Sequence, residues 1–291
     1  MTPFELMEPT SLKEALGLLD RDDPDVRPWG GGTALMLMMK AGALKPTRLV
    51  SLRRVDGGLS KIEAGVDGGL RLGALTPLAA VERSDAVRRA APVVTRTLRT
   101  LSNIRVRNVA TLGGHLAHGD PHMDLPPVLM ALDATVTVAG PDGSRELAMA
   151  DLFTGFFETA LAGDELITAV TVPAQPTTAG YVKCTTRSAD DWPALGVAVA
   201  LDLDGGTVRG ARVAVSAATE QPARLAQAEA ALTGTALDAA ALKRAGEAAA
   251  EEAEIVSDIQ GSADYKRQLL RVSLGRAVRQ ALDAGNQGAG R

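Results

Sequence analysis

The sequence predicts an α+β fold in which a two-lobed domain, residues 1–175 with lobes of about 1–55 and 56–175, precedes a smaller domain at 176–285 and a flexible tail at 286–291. The smaller domain is expected to hold a three-stranded antiparallel sheet and a helical bundle. Three observations predict this. Short strand and helix signals alternate around Gly30-Gly31-Gly32. A Pro/Thr/Ala-rich connector follows the strand signal closed by Pro173. Beyond it, three β-branched runs come first and three alanine-rich helical stretches after.

The elements follow in order. Ser11 and Glu14 have the capping-box spacing, so a helix is expected through residue 19. Residues 26–29 then lead into the glycine run, 34–40 form a helix stopped by Gly42, and 49–52 complete a βαβ-like opening. Residues 61–64 and 70–72 resemble a hairpin, and 84–101 read as helical. A helix from 124 to 132 precedes a strand at 135–138, the turn Pro141-Asp142-Gly143 and the strand 165–172. In the second domain, 181–187, 194–203 and 208–217 are the antiparallel trio, with Asp204-Gly205-Gly206 as a hairpin turn. Residues 223–232, 237–254 and 263–282 are the three amphipathic helices, and the tail from Gly285 is expected to fray.

Composition removes several function classes. A net charge of -4 supplies no basic field for nucleic acid or an anionic membrane surface. The single cysteine, Cys184, excludes an internal disulfide and an iron–sulfur cluster held by this chain alone, which needs about four thiolates. No window reaches the roughly 18 apolar residues of a membrane span, and the N-terminus lacks the basic and apolar regions of a leader, so a cytoplasmic location is expected. Cys184 itself reads as a buried strand thiol without a catalytic partner.

Two glycine-rich segments carry the chemistry. Gly30-Gly31-Gly32-Thr33-Ala34-Leu35 lets backbone N–H groups approach a pyrophosphate, and the helix that follows adds a favourable dipole. It has neither the Lys-Ser/Thr ending of a Walker A loop nor the third glycine of a Rossmann fingerprint. The second segment runs from Thr111 through Gly113, Gly114, His115, His118 and Asp120 to Asp124. Thr111 can donate to a phosphate, the glycines admit one closely, and Asp124 can accept from hydroxyls. Together they suit an elongated dinucleotide. His115, His118 and His122 have spacings that tempt a metal assignment, but Gly113, Gly114, Gly119 and Pro121 argue against one helical face, so no metal site is expected.

With these motifs in order, the chain resembles the FAD-binding medium subunits of molybdenum hydroxylases, the family of carbon monoxide dehydrogenase flavoproteins and the xanthine dehydrogenase flavin domain. The likeness spans nearly the whole chain. It includes Gly30 to Leu35, Ile104-Arg105-Val106-Arg107-Asn108, Thr111-Leu112-Gly113-Gly114, Asp120-Pro121, Asp124-Leu125-Pro126, Glu165-Leu166-Ile167-Thr168, and Lys183 with Asp190-Asp191-Trp192. The resemblance implies a PCMH-type FAD-binding domain followed by a carbon monoxide dehydrogenase flavoprotein-like C-terminal domain.

Carried over residue by residue, the resemblance implies that Gly30, Gly31, Gly32, Thr33, Ala34, Leu35, Thr111, Gly113 and Gly114 hold the FAD pyrophosphate. Asp120 and Asp124 would lie along the phosphate and ribityl portion, with His118 at a phosphate. Ile167 would pack against the isoalloxazine, Lys183 would lie near its polar edge, and Leu101 stands where relatives can carry an aromatic near the adenine. Trp192 would cover or gate the ring; its plainer reading is a packed loop aromatic. No catalytic residue is expected on this chain.

The function so implied is an electron-transfer subunit. A molybdenum-cofactor large subunit would hydroxylate the substrate, 2Fe-2S clusters on a small subunit would carry electrons, and FAD here would pass them to a terminal acceptor, in a dimer of heterotrimers. Arg105, Arg107 and Asn108 are candidates for the partner-facing surface, or else anchor their loop. The alternatives are a self-sufficient flavin-dependent oxidase or reductase and a non-enzymatic protein that has lost flavin.

Overall fold

The structure is a computed structural model that describes residues 2–289 apart from 56, 176 and 177, with side chains described to 285. In the first lobe, β1 (Glu5–Met7), α1 (Leu12–Leu18), β2 (Val26–Trp29), α2 (Thr33–Ala41) and β3 (Arg48–Ser51) alternate. Their strands form a parallel sheet of order β1-β3-β2, in which Leu49 of β3 sits beside Leu6 and Arg27. Ser11 caps α1 by accepting from the Glu14 N–H, and the Glu14 carboxylate returns to the Thr10 N–H.

The second lobe contains β4 (Ile62–Ala64), β5 (Leu70–Gly73), six short helices, then β6 (Thr135–Gly140), β7 (Gly143–Ala148), β8 (Phe153–Gly155), β9 (Glu158–Thr159) and β10 (Leu166–Val172). The helices are α3 (Leu78–Arg83), α4 (Asp85–Ala90), α5 (Pro92–Leu98), α6 (Ile104–Arg107), α7 (Leu112–Ala117) and α8 (Leu125–Ala131). An antiparallel five-stranded sheet of order β4-β5-β10-β6-β7 backs them. Consecutive residues of β10 serve different cores: Leu166 closes the first lobe with Ala15, Val26 and Val50, while Ile167 joins the larger core with Leu116 and Val138. That alternation along one strand ties the lobes together.

In the last unit, β11 (Thr178–Cys184), β12 (Leu195–Asp204), β13 (Thr207–Ser216) and β14 (Ala223–Arg224) form an antiparallel sheet beside α9 (Ala226–Leu232), α10 (Ala239–Glu252) and α11 (Ala263–Ala289). Val197, Val199 and Leu201 of β12 face the helices, whereas Ala198 and Ala200 face the core that includes α8. Small residues on that side let α8 approach the sheet closely.

Several expectations need correction. The sheet has a fourth strand, because Ala223 and Arg224 pair with Val215 and Ala214 instead of opening a helix. Arg224 is held there by Glu229 and Asp133. The expected helix at 84–101 is two helices, since Pro92 breaks the path at Ala91 and starts α5. α3, α6 and α7 were not foreseen; their starts depend on a proline and on the Asn103 and Thr111 side-chain caps. α11 continues through Gly285 to Ala289, while residues 290 and 291 of the expected tail lie outside the described residues. Part of the expected connector, residues 176 and 177, also lies outside them.

Candidate flavin site

The two glycine segments meet. A Cβ placed on Gly30 would stand 2.8 Å from Thr111 Oγ1, and one on Gly31 would run into the Val109 carbonyl oxygen. Their lack of side chains is therefore what lets one segment lie on the other. Gly32 has φ of 70° as the N-cap of α2, and its missing Cβ is where the Trp29 indole packs. Thr33, Ala34 and Leu35 form the first turn of α2, whose leading N–H groups have no partner within the helix. Thr111 caps α7 by accepting from the Gly114 N–H at 3.2 Å, so its own hydroxyl proton is free to be donated. Gly113 is buried, its N–H donating to the Ala74 carbonyl at 2.7 Å, while Gly114 is exposed. The arrangement offers backbone and hydroxyl donors on one rim and suits an anionic pyrophosphate.

The polar residues beyond α7 fall into two groups. In the first, Asp124 Oδ2 accepts from Lys183 Nζ at 2.9 Å and Oδ1 accepts from the Tyr181 hydroxyl at 2.6 Å. Lys183 also donates to the Thr100 carbonyl at 2.8 Å. Burial raises the Asp124 pKa despite Lys183 and Tyr181, and burial followed by the Asp124 charge pushes the Tyr181 phenol well above its usual value. Lys183 and Asp124 thus satisfy each other across the junction between β11 and α8.

In the second group, Asp120 Oδ1 accepts from the His122 backbone N–H and side-chain Nδ1, each at 2.9 Å. Asp120 is 1% exposed, and its Oδ2 has no hydrogen-bond partner among the described residues. A buried carboxylate oxygen in that condition requires a donor. Hydroxyls of a ribityl or ribose group supply one; a phosphate, itself an anion, does not. Burial works to raise the Asp120 pKa, but the His122 hydrogen bonds outweigh it and hold the group below its ordinary value.

The histidines differ. Burial lowers the His118 pKa against the opposing charge of Asp120, and its ring meets Phe157 edge-on at 5.2 Å. A neutral His118 can give a phosphate one hydrogen bond but no charge. His115 is pushed down to about 3 by burial and by His118, with Asp120 opposing, and its Nε2 has no partner among the described residues. His122 stacks on Trp192 with ring centres 5.7 Å apart. Among the described residues no three His, Cys, Asp or Glu side chains converge on a metal position.

Leu101 and Ile167 are buried in the large core, Ile167 beside an irregularity in the β10–β6 register. Cys184 is half-buried, its Sγ 3.2 Å from Ser273 Oγ. Arg107 is not a partner-facing residue: it is buried, bonded to Glu82 at 2.9 Å and to the Leu101 and Ser102 carbonyls, and so anchors the turn before Thr111. Arg105 and Asn108 are exposed. Sequence reading missed Tyr181 as the second partner of Asp124; its position two residues before Lys183 puts both on one face of a strand.

Comparison with known proteins shows the family. Residues 2–175 match the family model for the FAD binding domain in molybdopterin dehydrogenase, and residues 180–281 match that for the CO dehydrogenase flavoprotein C-terminal domain. The carbon monoxide dehydrogenase medium chain of Afipia carboxidovorans is 33% identical over 96% of each chain. The nicotine 6-hydroxylase medium subunit of Paenarthrobacter nicotinovorans is 34% identical over 94% of this chain and 95% of its own. A chain of the carbon monoxide dehydrogenase structure from Hydrogenophaga pseudoflava superposes with a TM-score of 0.93 at 32% identity, over 98% of this chain and 99% of that one. This chain belongs to the family of FAD-binding medium subunits of molybdenum hydroxylases, and is an oxidoreductase flavoprotein subunit.

Proposed function

We propose that the chain is the electron-passing component of a heteromeric molybdenum hydroxylase. A large subunit with the molybdenum cofactor oxidises the substrate, a small subunit with 2Fe-2S clusters relays the electrons, and this chain holds the FAD that receives them. The assembly is a dimer of such heterotrimers in the cytoplasm. The observation that carries the reading is the single cysteine in a chain of this family: about four thiolates are needed for a cluster, so the relay sits on a partner. Relatives named as medium subunits of a carbon monoxide dehydrogenase and of a nicotine 6-hydroxylase, each similar over nearly the whole chain, support a role that does not depend on the substrate. No helix among the described residues is long and apolar enough to cross a membrane.

FAD, when bound, accepts electrons and delivers them to a terminal acceptor. The chain's own residues bind and orient it: 30–35 and 111–114 at the pyrophosphate, Asp120 at a hydroxyl, and Trp192 beside the site. Lys183 and Asp124, paired at the junction of β11 and α8, would support the ribityl and ring portions. Native purification followed by flavin, iron and molybdenum analysis tests the proposal. Flavin, iron and molybdenum in one assembly are expected; a flavin-loaded chain with neither metal-bearing partner, active on an organic substrate, would instead indicate a self-sufficient oxidase or reductase.

A further inference from the structure

A second polar cluster joins the two family-matched segments, and the electron-transfer reading gives its His122, Asp258 and Lys266 no role. His122, from the segment at 2–175, lies between two carboxylates: Nδ1 is 2.9 Å from Asp120 Oδ1 and Nε2 is 2.9 Å from Asp258 Oδ2. A carboxylate only accepts, so both contacts are hydrogen bonds only when the imidazole carries two protons. Asp258 is held in turn by Lys266 at 2.6 Å, a lysine with no solvent exposure that also donates to the Ala217 carbonyl at 2.8 Å. Along the row Asp120, His122, Asp258, Lys266, charges alternate and sum to zero, which is the arrangement that lets ionised groups sit away from water. On its flat face His122 carries Trp192, whose ring is tilted by 16° from it and remains 56% exposed.

We propose that His122 is the positioning residue for Trp192: pinned at both ring nitrogens by Asp120 and Asp258, it sets the tryptophan's orientation beside the flavin and fixes the buried Asp120 carboxylate toward the cofactor. The proposal rests on the reading of the glycine segments and Asp120 as the FAD site. His122 touches no reacting atom; it acts through Trp192 and Asp120. Loss of one proton leaves one ring nitrogen with a lone pair facing a carboxylate, so one arm of the clamp opens and Trp192 loses its fixed support.

The direction of the pH response follows from the groups around the ring. Burial of His122 disfavours its charge, but the hydrogen bonds its ring donates to Asp120 and Asp258 outweigh it and raise the pKa above 6.5. Asp120 and Asp258 are both held low. Lys266 is the cation behind Asp258, His118 faces Asp120 and is held neutral by burial, and in the tryptophan's own loop Arg187 pairs with Asp191 at 3.6 Å in solvent. The clamp is therefore closed below the raised His122 value and opens as pH rises through it.

The test uses the full chain, nitrogen-15 labelled and purified with FAD. Only Trp29 and Trp192 give indole signals, and Trp192→Phe assigns them. The Trp192 signal should titrate with a midpoint above 6.5, and His122→Phe, which keeps a ring but no hydrogen bonds, should abolish that titration. FAD release, followed by flavin fluorescence after dilution, should be about tenfold faster at about pH 9 than at about pH 6, and in His122→Phe should be fast at both. Should His122→Phe not fold, Asp258→Asn keeps the histidine and should move the midpoint down. A Trp192 signal that ignores pH, or one that titrates unchanged in either variant, overturns the proposal. A chain that holds no FAD yet shows the His122-dependent titration leaves the clamp standing and sinks the flavin reading instead.

Discussion

Lys183 Nζ lies 2.9 Å from Asp124 Oδ2, and both side chains are almost entirely out of water. Removing one member of a buried pair leaves the other charge uncompensated. Asp124→Ala should therefore cost about 3–5 kcal/mol in urea unfolding. Lys183→Met should cost less, because burial already raises the Asp124 pKa and the carboxyl can go neutral by taking up a proton. Equal losses would contradict this account of the pair.

The contact between the glycine segments makes a graded prediction. Gly31→Ala drives a methyl into the Val109 carbonyl and must spread the segments apart, so FAD affinity should fall at least about tenfold, read by fluorescence titration of the apoprotein. Gly17→Ala, in α1 with nothing near the added methyl, should leave FAD binding unchanged and raise stability by about 0.5–1 kcal/mol. Similar flavin loss in both would show that the Gly31 effect is not local.

Acid should destabilise the chain through His115. The folded protein keeps this ring neutral down to about 3, while its ordinary value is 6.5. Between those values the unfolded chain binds the extra proton, so stability falls as pH drops through that window. His122 has the opposite sign: its raised pKa contributes stability at acid pH that is lost as pH rises. Unfolding free energy measured against pH should have a shallower acid slope in His115→Asn than in the parent.

Arg107 and Arg105 separate anchoring from docking. Arg107→Ala strips Glu82 and two carbonyls of their donor and should lower stability by about 3–5 kcal/mol in thermal or urea unfolding. Arg105→Ala, at an exposed position, should change stability by less than about 0.5 kcal/mol. If Arg107→Ala is as mild, the anchoring role fails.

Local rules made much of the framework legible. The Ser11 and Glu14 spacing placed α1, and Asp204-Gly205-Gly206 placed the β12–β13 hairpin, where both glycines take positive φ. α7 was hidden because two of its six residues are glycine, and its start depends on the Thr111 cap and a bond from Gly113 to Ala74. β14 was hidden because two residues become a strand only through a partner already in place. In the site, the glycine segments were visible from composition, yet their mutual contact was not. Lys183 with Asp124, and His122 with Asp258 across 136 positions, join residues whose separation carries no periodic signal. Such pairs are set by how the last unit docks on α8.

In the proposed function, electrons reach this flavin from a partner. Rapid mixing of the native assembly and of the isolated FAD-loaded chain with the assembly's substrate, followed by flavin absorbance, tests it most directly. Flavin bleaching in the assembly alone, with recovery when the terminal acceptor is added, is the predicted result; equally fast bleaching of the isolated chain would contradict the account.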